Sequence, residues 1–255
     1  MRRHARWATA VLLSAALLPA VSRAEAQTAA AAGSSATSPF GQAMRDDRAY
    51  AHALFDELEG RLGSMDLFRW DAEGWFGTND DRLWLKSEGI ARSGSVDDGD
   101  QELLYDRPVS PYFDLQGGLR YDLDSLAGRG WAALGIQGLA PGFFNVSATL
   151  YASDAGHYAA KLQASYDALL TQRLILQPLL EVNAYTRADL ARDVGPGVSD
   201  LDTGLRLRYE ITRKCAPYVG VTYRRISGPV SGTRQTLNTS LGTGWHATLG
   251  VRAWL

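Results

Sequence analysis

Leu201–Ile211 reads LDTGLRLRYEI, and the fold turns on how this stretch is read. Leu201, Thr203, Leu205, Leu207, Tyr209 and Ile211 fall on one side of an extended chain. Asp202, Gly204, Arg206, Arg208 and Glu210 fall on the other. A helix would scatter the two sets, whereas a strand separates them.

The same alternation recurs outward in both directions. In Phe113–Leu123, Phe113, Leu115, Leu119 and Tyr121 oppose Asp114, Gln116, Arg120 and Asp122. In Lys161–Ala168, Leu162, Ala164, Tyr166 and Ala168 oppose Lys161, Gln163, Ser165 and Asp167. In Arg82–Glu88, Leu83, Leu85 and Ser87 oppose Arg82, Trp84, Lys86 and Glu88. The chain ends with Leu249, Val251, Ala253 and Leu255 opposite Gly250, Arg252 and Trp254. The pattern predicts twelve strands, at 50–59, 67–76, 81–90, 100–109, 111–123, 130–140, 142–152, 156–169, 172–185, 199–211, 216–227 and 243–255. The first, YAHALFDELE, also has the local propensity of a helix. Ten strands, with residues 50–76 as a plug or periplasmic segment, is the variant count.

Connections near 77–80, 110, 141, 170 and 212–215 are short. Those near 91–99, 124–129, 186–198 and 228–242 are longer. Short turns on one side and long loops on the other are the layout of an outer-membrane β-barrel, and an even strand count returns both termini to the periplasm. Aromatic residues near strand ends could supply interfacial girdles: Trp70, Trp75, Trp84, Tyr112, Phe113, Trp131, Phe143, Phe144, Tyr151, Tyr185, Tyr218 and Trp254. A secreted β-sandwich also alternates, with its apolar faces turned inward. The terminal alternating strand and the loop asymmetry favour the all-β, antiparallel transmembrane barrel.

The chain has 255 residues, of which 45% are hydrophobic and 21% charged, with 26 glycines and a formal net charge of −2. That balance lacks the global basic excess of a nucleic-acid binder. One cysteine excludes an intramolecular disulfide and a multi-cysteine zinc site. The basic start MRRHAR, the apolar run Trp7–Val21 and the Ala24-Glu25-Ala26 cleavage site predict a signal peptide over residues 1–26. Its removal takes away four arginines and Glu25 and leaves a net charge of −5. Residues 27–49 read as a flexible leader, and residues 50–255 as the barrel.

Several motifs then occur in one order: WDAEGWFG (Trp70–Gly77), DRLWLKSEG (Asp81–Gly89), PYFDLQGGLRY (Pro111–Tyr121), WAALGIQGLA (Trp131–Ala140), LTQRLILQP (Leu170–Pro178), SDLDTGLRLRY (Ser199–Tyr209) and APYVGV (Ala216–Val221). Together they resemble the barrel domain of the copper resistance protein B family of bacterial outer membranes, over roughly residues 50–255. The resemblance implies an outer-membrane protein that contributes to copper resistance in Gram-negative cells. It would bind copper ions, pass them, or dock periplasmic copper-handling proteins, with outer-membrane lipid as its surroundings. The family usually carries a Met- and His-rich copper-binding segment ahead of the barrel. Here 27–49 holds only Met44 and no histidine, so no copper ligands carry over from that motif. Leu255 also stands where such barrels commonly end in Phe.

Candidate chemistry is sparse. His52, Met44 and Met65 lie close in sequence, and His157 and His246 each begin a predicted strand near the outer rim. Imidazole and thioether suit copper, but only if such residues converge. Cys215 sits in the basic turn TRKCAP, where it could bind copper or pair between chains. Asp114, Asp122, Glu88, Asp167, Glu181 and Glu210 could make weak cation contacts inside a lumen. The near-equal number of inward charges of both signs favours an interior cross-linked by ion pairs over a wide selective pore. No phosphate loop or G-x-S-x-G elbow occurs. Ser153 with His157, and Ser240 with His246, are spacings too common to indicate an enzyme. The runner-up reading is a structural or small-solute barrel without copper selectivity.

Overall fold

The computed structural model describes residues 48–63, 66–92, 95–123, 128–154, 156–188, 195–227 and 243–255. The signal peptide, most of the leader, Met44, Met65 and Ser240 lie outside them.

The strands are β1 (Tyr50–Leu62), β2 (Leu67–Gly77), β3 (Arg82–Arg92), β4 (Ser95–Pro108), β5 (Phe113–Asp122), β6 (Arg129–Ala140), β7 (Phe144–Ser153), β8 (Tyr158–Tyr166), β9 (Ala168–Leu169), β10 (Leu174–Tyr185), β11 (Gly197–Tyr209), β12 (Cys215–Ile226) and β13 (Gly244–Trp254). The two-residue β9 continues the line of β8 past Asp167, and both pair with β10. Twelve staves therefore run antiparallel, each beside its sequence neighbour. The sheet closes where β1 meets β13, with Gly60 opposite Leu249. Closure removes the free edges, which is what an extended chain needs in lipid, where no water can satisfy exposed backbone groups.

The inversion of faces separates barrel from sandwich. Asp202, Arg206 and Arg208 are buried, while Leu205, Leu207 and Tyr209 are exposed. Around the wall Leu83, Leu103, Leu119, Leu134, Leu150 and Leu249 likewise face outward, each about half exposed or more. Charge is inside and hydrocarbon outside, as a bilayer demands.

β1 is a strand despite its helical propensity, because it pairs along its length with both β2 and β13. This excludes the ten-stave variant. A bulge between Phe55 and Glu57 leaves Asp56 as the extra residue and resets the parity of the strand. The long connection expected near 91–99 is instead occupied by strand, since β3 runs to Arg92 and β4 starts at Ser95. Glu210, expected on the inner row of its strand, follows the end of β11, where its backbone N–H donates to Arg173 O at 2.8 Å.

The aromatic assignment changes most. Trp84, Trp131, Tyr151 and Tyr218 are buried, and Trp75 and Tyr185 pack against a lumenal cluster of Trp84, Leu104, Trp131, Ala133 and Tyr151. Trp84 shares its row with Arg82 and Lys86, so parity sends it inward. The exposed belts are formed near the short turns by Phe76, Tyr112, Phe143 and Tyr209, and near the loop ends by Phe68, Tyr121, Tyr158 and Trp245. Phe143 takes a left-handed φ of 66° in the turn after Gly142 (φ 87°), so the turn holds this ring outward at some backbone cost.

Replacing outward Leu205 with Arg should lower the unfolding free energy by about 2–4 kcal/mol, the cost of a cation on the lipid face near mid-depth. Urea titration of the protein refolded into vesicles measures it. A change near zero would contradict the assignment of this face to lipid.

Candidate functional site

The inner wall of β10, β11, β12, β13, β1 and β2 carries a continuous ion-pair network. Arg61, fully buried, donates from Nε to Glu59 Oε1 at 2.6 Å and from Nη1 to Asp202 Oδ2. Arg206 pairs with Glu57 Oε1 at 2.7 Å and Glu59 Oε2 at 3.0 Å. Arg69 reaches Glu57 Oε2 at 2.7 Å, Glu181 Oε2 at 2.5 Å and Asp202 Oδ2 at 3.2 Å. Tyr218 Oη donates to Glu59 Oε2 at 2.9 Å. Each charge withdrawn from water thus has a partner, the condition for burying it at tolerable cost.

Among the described residues, three ties cross the lumen. Lys161 on β8 donates to Glu88 on β3, and the shorter way round passes β4, β5, β6 and β7. Arg69 on β2 meets Glu181 on β10 past β1, β13, β12 and β11. Arg224 on β12 lies 3.8 Å from Asp98 on β4, past β13, β1, β2 and β3. Each tie joins staves five steps apart in a ring of twelve, one short of opposite. The lumen is therefore braced from wall to wall.

Between the walls lies a polar cavity of about 50 Å³, room for roughly three waters or one partly hydrated ion. Asp71, Glu73, Glu88, Asp100 and Glu102 line it, against only Lys86 and Lys161. Three of these acids are engaged: Glu88 by Lys161, Asp100 by Arg120 at 2.9 Å, and Glu102 by the Tyr151 hydroxyl at 2.6 Å. Lys86 donates to Gln116 and Gln137, each at 3.1 Å. Asp71 and Glu73, two apart on β2 and so on one face, take no hydrogen bond and no ion pair among the described residues, beside the hydroxyls of Ser147 and Thr149. Five carboxyl groups thus share the chamber with two lysines, and Asp71 and Glu73, the latter facing Lys86 across the strand pair, are the two that no donor holds.

Of the acids singled out in the sequence, Glu88 alone lines the chamber. Asp122 holds Arg120 Nε at 2.8 Å and Trp131 Nε1 at 2.6 Å; Asp114 meets Arg82 at 3.2 Å; Asp167 meets Arg208 at 2.9 Å. Glu181 is committed to Arg69 and to Asn183 at 2.9 Å. The sequence reading missed Asp71, Glu73, Asp100 and Glu102. The spacing Asp71-x-Glu73 was the available signal, in a strand whose other inward charge is Arg69.

The histidines do not converge. His52 faces the lumen near the turn end, 6.2 Å from the Trp75 ring in a tilted contact. His157 precedes β8, and its carbonyl accepts from Ser153 N at 2.9 Å. His246 is buried on β13, four staves from β8, so it does not meet His157. It stands across from Thr222, leaning over Gly63, whose added Cβ would lie 2.7 Å from imidazole Cδ2. Neither of its nitrogens, nor the Thr222 or Thr248 hydroxyl, has a hydrogen-bond partner among the described residues. The Ser153 hydroxyl donates to Asp154 at 3.1 Å. Cys215 opens β12 opposite Ala253, on the outward row that carries Val219 and Val221, away from the lumenal His52. Among the described residues, no three His, Cys, Asp or Glu side chains are grouped to hold a metal ion.

Asp202→Ala would strip a partner from both Arg61 and Arg69. Unfolding free energy in vesicles should fall by about 3–5 kcal/mol, the cost of orphaning buried charge. Removing Asp56, whose pair with Arg252 is partly exposed at 2.7 Å, should cost about 1 kcal/mol or less. Equal effects would contradict the burial ranking.

The family model described as copper resistance protein B precursor matches residues 49–255. Copper resistance protein B of Escherichia coli is 42% identical over 192 residues, covering 75% of this chain and 65% of that protein. The chain thus spans a little under two thirds of that relative's length. A copper resistance protein B homolog of Pseudomonas syringae pv. tomato is 38% identical over 219 residues, covering 86% of this chain and 74% of the homolog. Among solved structures, the NanC porin aligns with a TM-score of 0.52 at 10% identity, over 81% of this chain and 100% of that one, a likeness of fold alone. With a closed, outwardly apolar barrel and a family match over residues 49–255, the chain belongs to the copper resistance protein B family of the outer membrane.

Proposed function

We propose that this chain contributes to copper resistance by passing copper ions through its lumen, with brief contacts at the acidic chamber. The observation that carries this reading is the pair of carboxyl groups, Asp71 and Glu73, that no donor among the described residues holds and that face a polar cavity inside the barrel. Acidic linings favour cations, and conduction needs contacts strong enough to admit an ion yet weak enough to release it. Carboxylate and hydroxyl oxygens hold copper less firmly than imidazole or thiolate would. The names of the relatives support copper as the cation. Residues 1–26 serve as the cleaved export signal, and the turn-side mouth with His52 and Trp75 is where periplasmic copper-handling proteins would dock. Copper is cargo in this account, not a resident cofactor, and the chain carries out no catalysis.

A second reading has its own observation. The braced, charge-balanced wall around Arg61 and Arg206 suits a barrel without copper selectivity. Flux into vesicles separates the two. The mature protein should admit Cu(II) faster than Zn(II), and Asp71→Asn with Glu73→Gln should slow Cu(II) entry by about tenfold or more, because the acidic contacts that admit a cation leave the lining. Equal Cu(II) and Zn(II) entry, untouched by the double substitution, would favour the unselective barrel.

A further inference from the structure

One basic side chain enters the chamber from the facing wall. Lys161 projects from β8, is buried to 8% exposure, and reaches Glu88 on β3 across the lumen. Its ammonium sits in the cavity that Asp71, Glu73 and Asp100 also line. The other lysine there, Lys86, is held on two glutamine side-chain oxygens rather than on an acid. We infer that Lys161 is the chamber's tethered counter-cation, a specificity-determining residue that an entering divalent cation must displace from Glu88. This rests on the reading of the chamber as a cation path and adds the element that sets its threshold.

A carboxylate-rich cavity in low dielectric needs positive charge, and a lysine on a flexible four-carbon stem supplies it without fixed geometry. An ammonium donates hydrogen bonds but accepts none, so it blocks a cation while leaving the oxygens available once it moves. Because the stem is rooted on the opposite wall, displacing the ammonium also releases one of the braces that span the lumen. Cation entry and opening of the constriction are then one event. A monovalent ion offers no more charge than the ammonium it replaces; a divalent ion offers twice as much, so the arrangement favours divalent cations.

The test uses the full mature protein refolded in lipid, with Cu(II) chloride as probe. Lys161→Met should raise Cu(II) retention by about tenfold or more, since one competing charge leaves the cavity. It should also move the reversal potential in a KCl gradient toward cation selectivity. Lys161→Gln, which keeps a hydrogen-bonding group near Glu88, carries the same expectation if the Met variant does not refold. In the wild type, Cu(II) should increase acylation of the Lys161 amine, read by mass spectrometry against Lys86. Retention and selectivity unchanged in both variants, or acylation of Lys161 unaffected by Cu(II), would overturn the inference. If Asp71→Asn with Glu73→Gln lowers retention while the Lys161 variants do nothing, the inference about Lys161 alone fails. If neither set changes retention, the lumen-path reading fails with it.

Discussion

Charge withdrawn from water must be matched at close range, and in this barrel the matching runs across the lumen. Lys161 with Glu88, Arg69 with Glu181 and Arg224 with Asp98 each join staves five steps apart. Everything else follows from making that possible. The outer face must be apolar for lipid, so polar side chains can gather only inside, and twelve staves leave a lumen narrow enough for arginine and lysine to span. Removing Lys161 leaves Glu88 without its cation inside the lumen, and Arg69 is shared among Glu57, Glu181 and Asp202, so the interior behaves as one connected object rather than as a set of independent contacts.

The balance is uneven along that interior. Around Arg61, Arg69 and Arg206, acids and bases are interleaved and nearly all are engaged. In the chamber between β2–β4 and β7–β8 they are not, and two carboxylates on β2 are left over. Structure built for stability alone would neutralise them or replace them with apolar groups. Their place beside a polar cavity is the feature on which the proposed cation path rests. It distinguishes this lumen from one that is merely packed shut.

Much of the fold was legible because a strand's period is two and a bilayer reads only one face. LDTGLRLRYEI separates Leu205 from Arg206 in the sequence as it does in space. The turns after Gly77, Ala140 and Leu169 announced themselves by composition. What the sequence did not disclose was anything set by closure. That Lys161 meets Glu88, 73 residues away, depends on strand number and stagger, not on local pattern. The same holds for His246, which reads as a rim residue yet is buried facing Thr222. Of the aromatic belt, Tyr112, Phe143 and Phe144 are exposed as expected, but Trp84, Trp131, Tyr151 and Tyr218 are buried: proximity to a strand end was weighed above parity, and parity with Arg82 and Lys86 puts Trp84 inside. The bulge at Asp56 hid a further step, since it carries His52 and Glu57 to the same face across an odd spacing.

The most direct test of a braced lumen is a double-mutant cycle on unfolding in lipid vesicles, using Glu88→Gln, Lys161→Met and their combination. Residues on staves so far apart have no reason to couple unless their side chains meet. The account predicts an interaction energy of about 1 kcal/mol or more. Additivity within about 0.5 kcal/mol would contradict it, and would mean that the two walls do not touch.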